Sequence, residues 1–377
     1  MPLLPEELVR QVHDSQGQIV LVLSGGSRAV AELLEVPGGS KNLLEATVPY
    51  SEGSLTAWLG SRPEQFCSSR TARAMAVVAF GRAVRYGAVE QQAAGVSCTA
   101  GLATDRPKRG SHRAHVAVQS ANQTRCWSLE LKKDARSRQE EEQIVSRMVL
   151  NAVAEACGID QRLDLPLLEP ERVELDQVTA PLPWQGLFLG RVEATGAGEN
   201  SGQASPTPRV ILSGAFNPLH AGHRRMAKTA EEMLGLPTAM EISILNVDKP
   251  AMDYLEIQRR LGQFPPEQAV WLTRAATFDD KSRLFPGATF LVGVDTLRRI
   301  ADPRYYGGDR NFMMQSLQRI IARNCRFLVF GRALGSSFIR LLDIDLPDAL
   351  RHACIEIPPD KFREDVSSTA LRKEGAW

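Results

Sequence analysis

The stretch SGAFNPLHAGHRRM, Ser213 to Met226, decides how the second half of this chain is read. It follows the apolar run RVILSG, which reads as a strand running into glycine, and precedes a helical pattern, HRRMAKTAEEMLGL. Between them AFNP forms a strand-to-helix turn. On that reading His220 and His223 stand i, i+3 on one face of the first helical turn. Their imidazoles and the unpaired N–H groups of the helix start then face one crevice, which favours an anion. Gly214 and Gly222 would let a phosphate approach without a Cβ in the way. Spacing alone leaves the two histidines open to three readings: metal ligands, packed core histidines or a catalytic pair. A metal would want a third ligand that the spacing does not reveal.

Working outward, MEISILNV, AVWLTR, TFLVGVD, RFLVFGR and ACIEIP read as further strands, most of them separated by helical segments such as NFMMQSLQRIIARN. That alternation predicts a doubly wound parallel, Rossmann-like sheet with its ligand beyond the carboxyl ends of the strands. Upstream, RVEATGAGENSGQASPTPR (191–209) is rich in Gly, Ser, Pro and Thr and reads as a flexible linker, and the proline-studded stretch before it as a connector. The expected organisation is a first domain at 1–160, connector and linker at 161–208, and a second domain at 209–377. In the first domain QIVLVLSGGS, GVSCTAGLA and HVAVQS read as strands, and TARAMAVVAFGRAVRYG and RQEEEQIVSRMVLNAVAEACGI as helices. The fold class is therefore α/β, with two layered α/β domains.

The chain's 377 residues exceed one ordinary core, in keeping with two domains. A net charge of +1 argues against a polyelectrolyte such as duplex DNA and leaves small phosphorylated ligands as the better fit. Six scattered cysteines without a CxxC pair indicate neither a zinc site nor a disulfide framework. The N-terminal stretch has acidic residues and no long apolar core, and no run approaches the roughly 20 apolar residues of a membrane helix. A cytoplasmic protein without nucleic-acid or membrane partners is expected.

GAFNPLHAGH resembles the HxGH signature of the nucleotidylyltransferase superfamily, and VSSTALR, Val366 to Arg372, resembles its second signature, ISSTxxR, in the expected order downstream. The resemblance spans 209–377. It implies that His220 and His223 stabilise charge on the α-phosphate of a nucleoside triphosphate, through positioning and electrostatics. Gly214, Ala215, Phe216, Asn217 and Gly222 would line the nucleotide, with Ser367, Ser368, Thr369 and Arg372 on the β- and γ-phosphates. FLVGVD resembles the family's strand ending in Gly-x-Asp, which would turn Asp295 toward the ligand. NVDKP and VFGR would place Lys249 and Arg332 at the acceptor. Phe-Asn-Pro resembles the nicotinamide and nicotinate mononucleotide enzymes more than the cytidylyltransferases.

AELLEVPGGSKNLLEATVPYS and GVSCTAGLATDRPKRGSHRAHVAV resemble the C-terminal domain of the CinA family, whose active members are nicotinamide-nucleotide amidases. The match spans about 20–160. It aligns Leu23 with the family's serine nucleophile and Leu55 with its lysine, and neither leucine can do that chemistry. Ser24, Gly25, Gly26 and Ser27 would form either a phosphate-binding or a structural turn, and Tyr50 and Ser51 retain the motif. His112 and His115 read as structural residues before and within a strand, Met75 and Met148 as core, and Glu140 to Glu142 as acids placed by the helix dipole without further partners.

The expected activity is adenylyl transfer from ATP, with Mg2+, to nicotinate or nicotinamide mononucleotide, releasing pyrophosphate. The first domain is expected to be silent and to support homo-oligomerisation or nucleotide sensing. Two rival readings are a non-catalytic nucleotide-binding regulator and a bifunctional deamidase and adenylyltransferase. The intact second-domain signatures oppose the first rival, and Leu23 with Leu55 opposes the second.

Overall fold

The computed structural model describes residues 3–105, 110–197, 207–246, 250–334 and 337–363. Two compact units emerge, Met1–Gln185 with Asp248–Ile257, and Gly186–Val247 with Gln258–Trp377.

The first unit contains α1 (Pro5–Asp14), β1 (Gln18–Ser24), α2 (Arg28–Glu35), β2 (Leu43–Thr47), α3 (Glu52–Leu59), α4 (Ser69–Arg85), β3 (Ala93–Gly101), β4 (His112–Ser120), β5 (Gln123–Leu131), α5 (Arg138–Ala156) and β6 (Val173–Thr179). Its sheet runs β2-β1-β3-β4-β5-β6, parallel across β2, β1 and β3 and antiparallel from β3 to β6. Between its polar ends, Gln18 and Ser24, strand β1 is apolar and buried on both faces, as a parallel strand flanked by helices must be. Ile19, Leu21 and Leu23 join α1 and α5 in one core. The tight seat of α4 on β3 depends on Gly95, where a Cβ would lie 2.0 Å from the Ala76 carbonyl oxygen. Met75 and Met148 are core residues.

The second unit contains β7 (Ala194–Gly196), β8 (Val210–Ser213), α7 (Ala221–Leu234), β9 (Thr238–Ser243), β10 (Val270–Thr273), α9 (Phe278–Leu284), β11 (Thr289–Gly293), α10 (Val294–Ile300), α11 (Arg310–Ala322), β12 (Arg326–Phe330), β13 (Arg332–Leu334), β14 (Ser337–Ile339), α12 (Asp348–His352) and β15 (Cys354–Glu356). Helices α6 (Leu182–Phe188) and α8 (Tyr254–Leu261) are where the chain passes between units. The sheet order is β15-β12-β11-β8-β9-β10-β7, parallel except for the antiparallel edge strand β7. The chain works outward from β8 through β9 to β10, returns to β11 beside β8, and works outward again. This is the expected doubly wound sheet, and its strand order reverses between β8 and β11.

The stretch 161–208, expected to be connector and linker, supplies a strand to each sheet: β6 pairs with β5, and β7 with β10. Pro170 and Pro181 bracket β6 rather than interrupt it, so they spare its ladder bonds. The three residues of β7 are too few for a periodic signal. Among the described residues no helix is long and apolar enough to cross a membrane, and all six cysteines are free thiols.

Candidate active site

The register of β8 with β11 pairs Leu212 with Leu291, so the turns that leave these strands at Gly214 and Gly293 lie side by side where the sheet order reverses. In a doubly wound sheet that crevice receives the ligand. The Gly214 N–H donates to the Glu241 carbonyl on β9 at 3.0 Å, which prolongs the parallel ladder by one residue. Phe216 then turns inward, 1% exposed, with φ of +43° in the left-handed region. Its ring fills the space over Gly214, where a Cβ would lie 2.9 Å from a ring carbon. The glycine is thus required by the turn's own packing, a different reason from the close phosphate approach expected of it. Ala215 is exposed, Asn217 half-buried, and Gly222 is buried in the first turn of α7.

His220 is the N-cap of α7 in extended conformation, and His223 is the third residue of that helix. Their rings stack with centroids 3.7 Å apart. The backbone N–H of His220 donates to His223 Nδ1 at 3.3 Å, so a neutral His223 carries its proton on Nε2. Burial, followed by the neighbouring His220 ring, pushes His223 down to about 3, and the ring is neutral at ordinary pH. Phe216 meets the His223 ring edge to face at 5.0 Å and fixes its plane. A hydrogen-bond donor of fixed tautomer, beside a helix start, suits the oxygen of an anion.

Asp295, in the first turn of α10, and Arg332, just past β12, are ion-paired to each other, both about half exposed. The parallel register of β11 and β12 brings them together. Ser367, Ser368, Thr369, Arg372 and Lys249 lie outside the described residues. Among the described residues no cluster of three or more His, Cys, Asp or Glu side chains is placed to hold a metal ion.

Several residues around the turn had no signal in the sequence. Arg259 Nη2 donates to Asn217 Oδ1 at 2.5 Å, and Arg260 Nη1 to the Ala215 carbonyl at 2.8 Å. Gln263 bonds the backbone of both Phe216 and Leu219. Glu241 is 1% exposed and accepts from Lys281 Nζ at 2.8 and 2.6 Å and from Thr273 Oγ1 at 2.5 Å. None of these residues follows a motif, and each acts across a gap in sequence that periodicity cannot bridge.

In the first unit Leu23 is fully buried in the core and Leu55 is 3% exposed, so neither side chain faces a ligand. Ser24 Oγ donates to the Cys98 carbonyl, and the N–H of Ser27 is taken by Glu142 at 2.7 Å. Tyr50 is exposed, and Ser51 caps α3. His112 and His115 are strand residues: His112 Nδ1 lies 2.6 Å from the buried Glu141 carboxylate, and His115 Nδ1 lies 2.8 Å from Ser128 Oγ. The acidic run has partners after all. Glu140 closes a capping box with Ser137, Glu141 points inward to His112 and to the Ala103 N–H, and Glu142 holds Ser27. The helix rotates its second acid into the core, where a carboxylate needs such bonds.

Residues 211–374 match the family model described as Cytidylyltransferase-like. The match supports nucleotidyl transfer as the class of reaction of the cytidylyltransferase-like domain, on a Rossmann-like fold. The N-terminal region has structural neighbours in the CinA family. The competence/damage inducible protein CihA from Agrobacterium tumefaciens is 22% identical, with 41% of this chain and 99% of that one covered and a TM-score of 0.33. The CinA superfamily protein from Escherichia coli is 15% identical, with 41% and 90% covered and a TM-score of 0.33. The competence damage-inducible protein A from Klebsiella pneumoniae is 16% identical, with 42% and 99% covered and a TM-score of 0.34. No curated protein matches the chain.

Proposed function

We propose that the cytidylyltransferase-like domain transfers AMP from MgATP to the phosphate of nicotinate or nicotinamide mononucleotide. A phosphate oxygen of the acceptor attacks the α-phosphorus in line, the bond from that phosphorus to the bridging oxygen of the β-phosphate breaks, and pyrophosphate leaves with the electron pair. Magnesium would come with the triphosphate substrate and neutralise part of its charge. The observation that carries this reading is the state of His223: its Nδ1 accepts from the His220 backbone, which leaves a neutral Nε2–H donor at the strand-order reversal. Charge grows on the non-bridging α-phosphate oxygens in the transition state, and a prepositioned donor strengthens its bond as that charge develops. His220, stacked on His223, shares the role. Ser367, Ser368, Thr369 and Arg372 hold the β- and γ-phosphates through hydroxyls and charge-assisted bonds.

Phe216, Asn217 and Pro218 favour a pyridine mononucleotide as acceptor, through their resemblance to enzymes of that class. Lys249 and Arg332 would hold its phosphate, Arg332 by exchanging its bond with Asp295. The first unit is a silent oligomerisation or nucleotide-sensing module, a reading supported by the burial of Leu23 where a nucleophile would be needed.

The test is to incubate the purified chain with Mg2+, ATP or CTP, and a panel of phosphorylated acceptors, following pyrophosphate and ammonia separately. Pyrophosphate release with ATP and a pyridine mononucleotide is expected, without ammonia. Release with CTP alone would move the chain to cytidylyl transfer. No release with any pair would favour a regulator, and ammonia without ATP would restore catalysis to the first unit.

A further inference from the structure

The turn between β8 and α7 does not hold itself. Phe216 sits at φ of +43°, where a side chain with a Cβ costs roughly 1–2 kcal/mol, so other parts of the unit must stabilise that conformation. Gln263 bridges the turn. Its Nε2 donates to the Phe216 carbonyl at 2.9 Å, and its Oε1 accepts from the Leu219 N–H at 2.8 Å. One planar amide thus closes a carbonyl and an N–H three residues apart, which needs a donor and an acceptor on the same group. The side chain is itself oriented by a second bond from Nε2 to the Arg260 carbonyl at 3.2 Å. The next residue continues the contact: the Phe264 ring meets Phe216 edge to face at 5.2 Å, and Phe216 in turn meets His223 at 5.0 Å.

We propose that Gln263 is a positioning residue for nucleotidyl transfer: by clasping the turn through Phe216 and Leu219 it sets the plane and tautomer of His223. The role of His223 in catalysis rests on the function proposed above, whereas the clasp and its effect on the imidazole do not. Gln263 touches no reacting atom. Its effect travels through the Phe216 backbone to a ring that stands against His223, and through Leu219 to His220, whose N–H holds Nδ1.

Gln263→Glu keeps the size and the acceptor for Leu219 but sets a carboxylate oxygen against the Phe216 carbonyl, and Gln263→Met keeps the size and loses both bonds. Two readouts on the full-length chain test the proposal. Imidazole 15N shifts, assigned with a His223→Gln variant, should show wild-type His223 as the single Nε2–H tautomer near pH 7 and still neutral near pH 5.5. Both Gln263 variants should show averaged tautomers near pH 7 and partial protonation near pH 5.5. Pyrophosphate release should fall at least about tenfold in kcat while KM for ATP stays within about threefold, as expected when a catalytic group is misplaced and substrate binding is intact. Unchanged 15N shifts in both folded variants would overturn the proposal, as would kcat within about twofold of wild type in an active chain. A wild-type chain with no pyrophosphate release removes the proposed function but leaves the 15N comparison to decide the clasp. Should one variant fail to fold, the other decides alone.

Discussion

At the scale of single residues, His223 is a neutral donor rather than a cation. A charged imidazolium would bind ATP in the ground state as well as in the transition state, whereas a neutral Nε2–H gains most when the α-phosphate oxygens become more negative. His223→Ala is therefore expected to lower kcat at least about a hundredfold with little change in KM for ATP, measured as pyrophosphate release at saturating acceptor. A parallel rise in KM would make His223 a ground-state binding residue. Gly214 teaches a different lesson. Its place in the motif was legible, but the reason for it lies in the Phe216 ring two residues on, which occupies the volume a Cβ would need.

At the scale of elements, the turn after β8 is held by residues distant in sequence. Residues of the stretch 259–264 clasp it, and the Gly214 N–H is anchored on the carbonyl of Glu241, whose carboxylate on β9 bonds Lys281 of α9 and Thr273 of β10. That ion pair is nearly dry, with side chains 1% and 8% exposed, so each charge depends on the other. Lys281→Met is expected to destabilise the second unit by about 3–5 kcal/mol in chemical denaturation, since it leaves the Glu241 carboxylate buried without its cation. Adding Glu241→Gln should recover much of the loss, because the unpaired charge then disappears. A single-variant cost below about 1 kcal/mol would mean that water reaches the carboxylate. None of this network was legible: Glu241 reads as one polar residue inside a strand, and Lys281 falls in a stretch that the sequence assigns to no element. The strands and helices themselves were legible where their apolar runs were long, as in β1, β11, β12, α5 and α11. They were missed where apolar residues are sparse: β6 and β7 lie on sheet edges, and β5, though paired on both sides, interleaves Gln, Thr, Arg, Ser and Glu among its apolar residues.

At the scale of the whole molecule, each unit holds a partly buried histidine that resists protonation. Burial, aided by Arg113 and Arg73, pushes His115 down to about 4 in the first unit, and His223 lies at about 3 in the second. Both are lowered from 6.5, so the unfolded chain takes up protons that the folded chain refuses. Their contribution to stability is complete above that unfolded value and is lost as the pH falls toward 4 and 3. Glu171 acts in the same direction. Burial raises its pKa, but bonds from Arg136 and from the Leu168 and Lys132 N–H groups bring it down to about 2, a contribution lost only at lower pH still. Urea denaturation between pH 7 and 4.5 should therefore show stability falling by up to about 1.4 kcal/mol per pH unit from each histidine. His115→Gln should flatten that slope in the first unit alone, and a stability independent of pH across this range would contradict the partly buried, neutral state of both rings.

The sequence by itself determined the α/β class, the doubly wound second sheet, and the strand, turn and histidine pair at its centre. All of these are written within short windows, where periodicity, glycine and proline act on neighbouring residues. Tertiary structure alone decided that β8 and β11 lie side by side, that Asp295 and Arg332 answer each other, and that Gln263 closes a turn more than forty residues before it. Such pairings depend on which strands become neighbours when the sheet is packed, and no local pattern records that choice. The histidines were visible in Ser213 to Met226, but what holds them, and hence the proton state in which His223 would meet a phosphate, is a property of the folded unit.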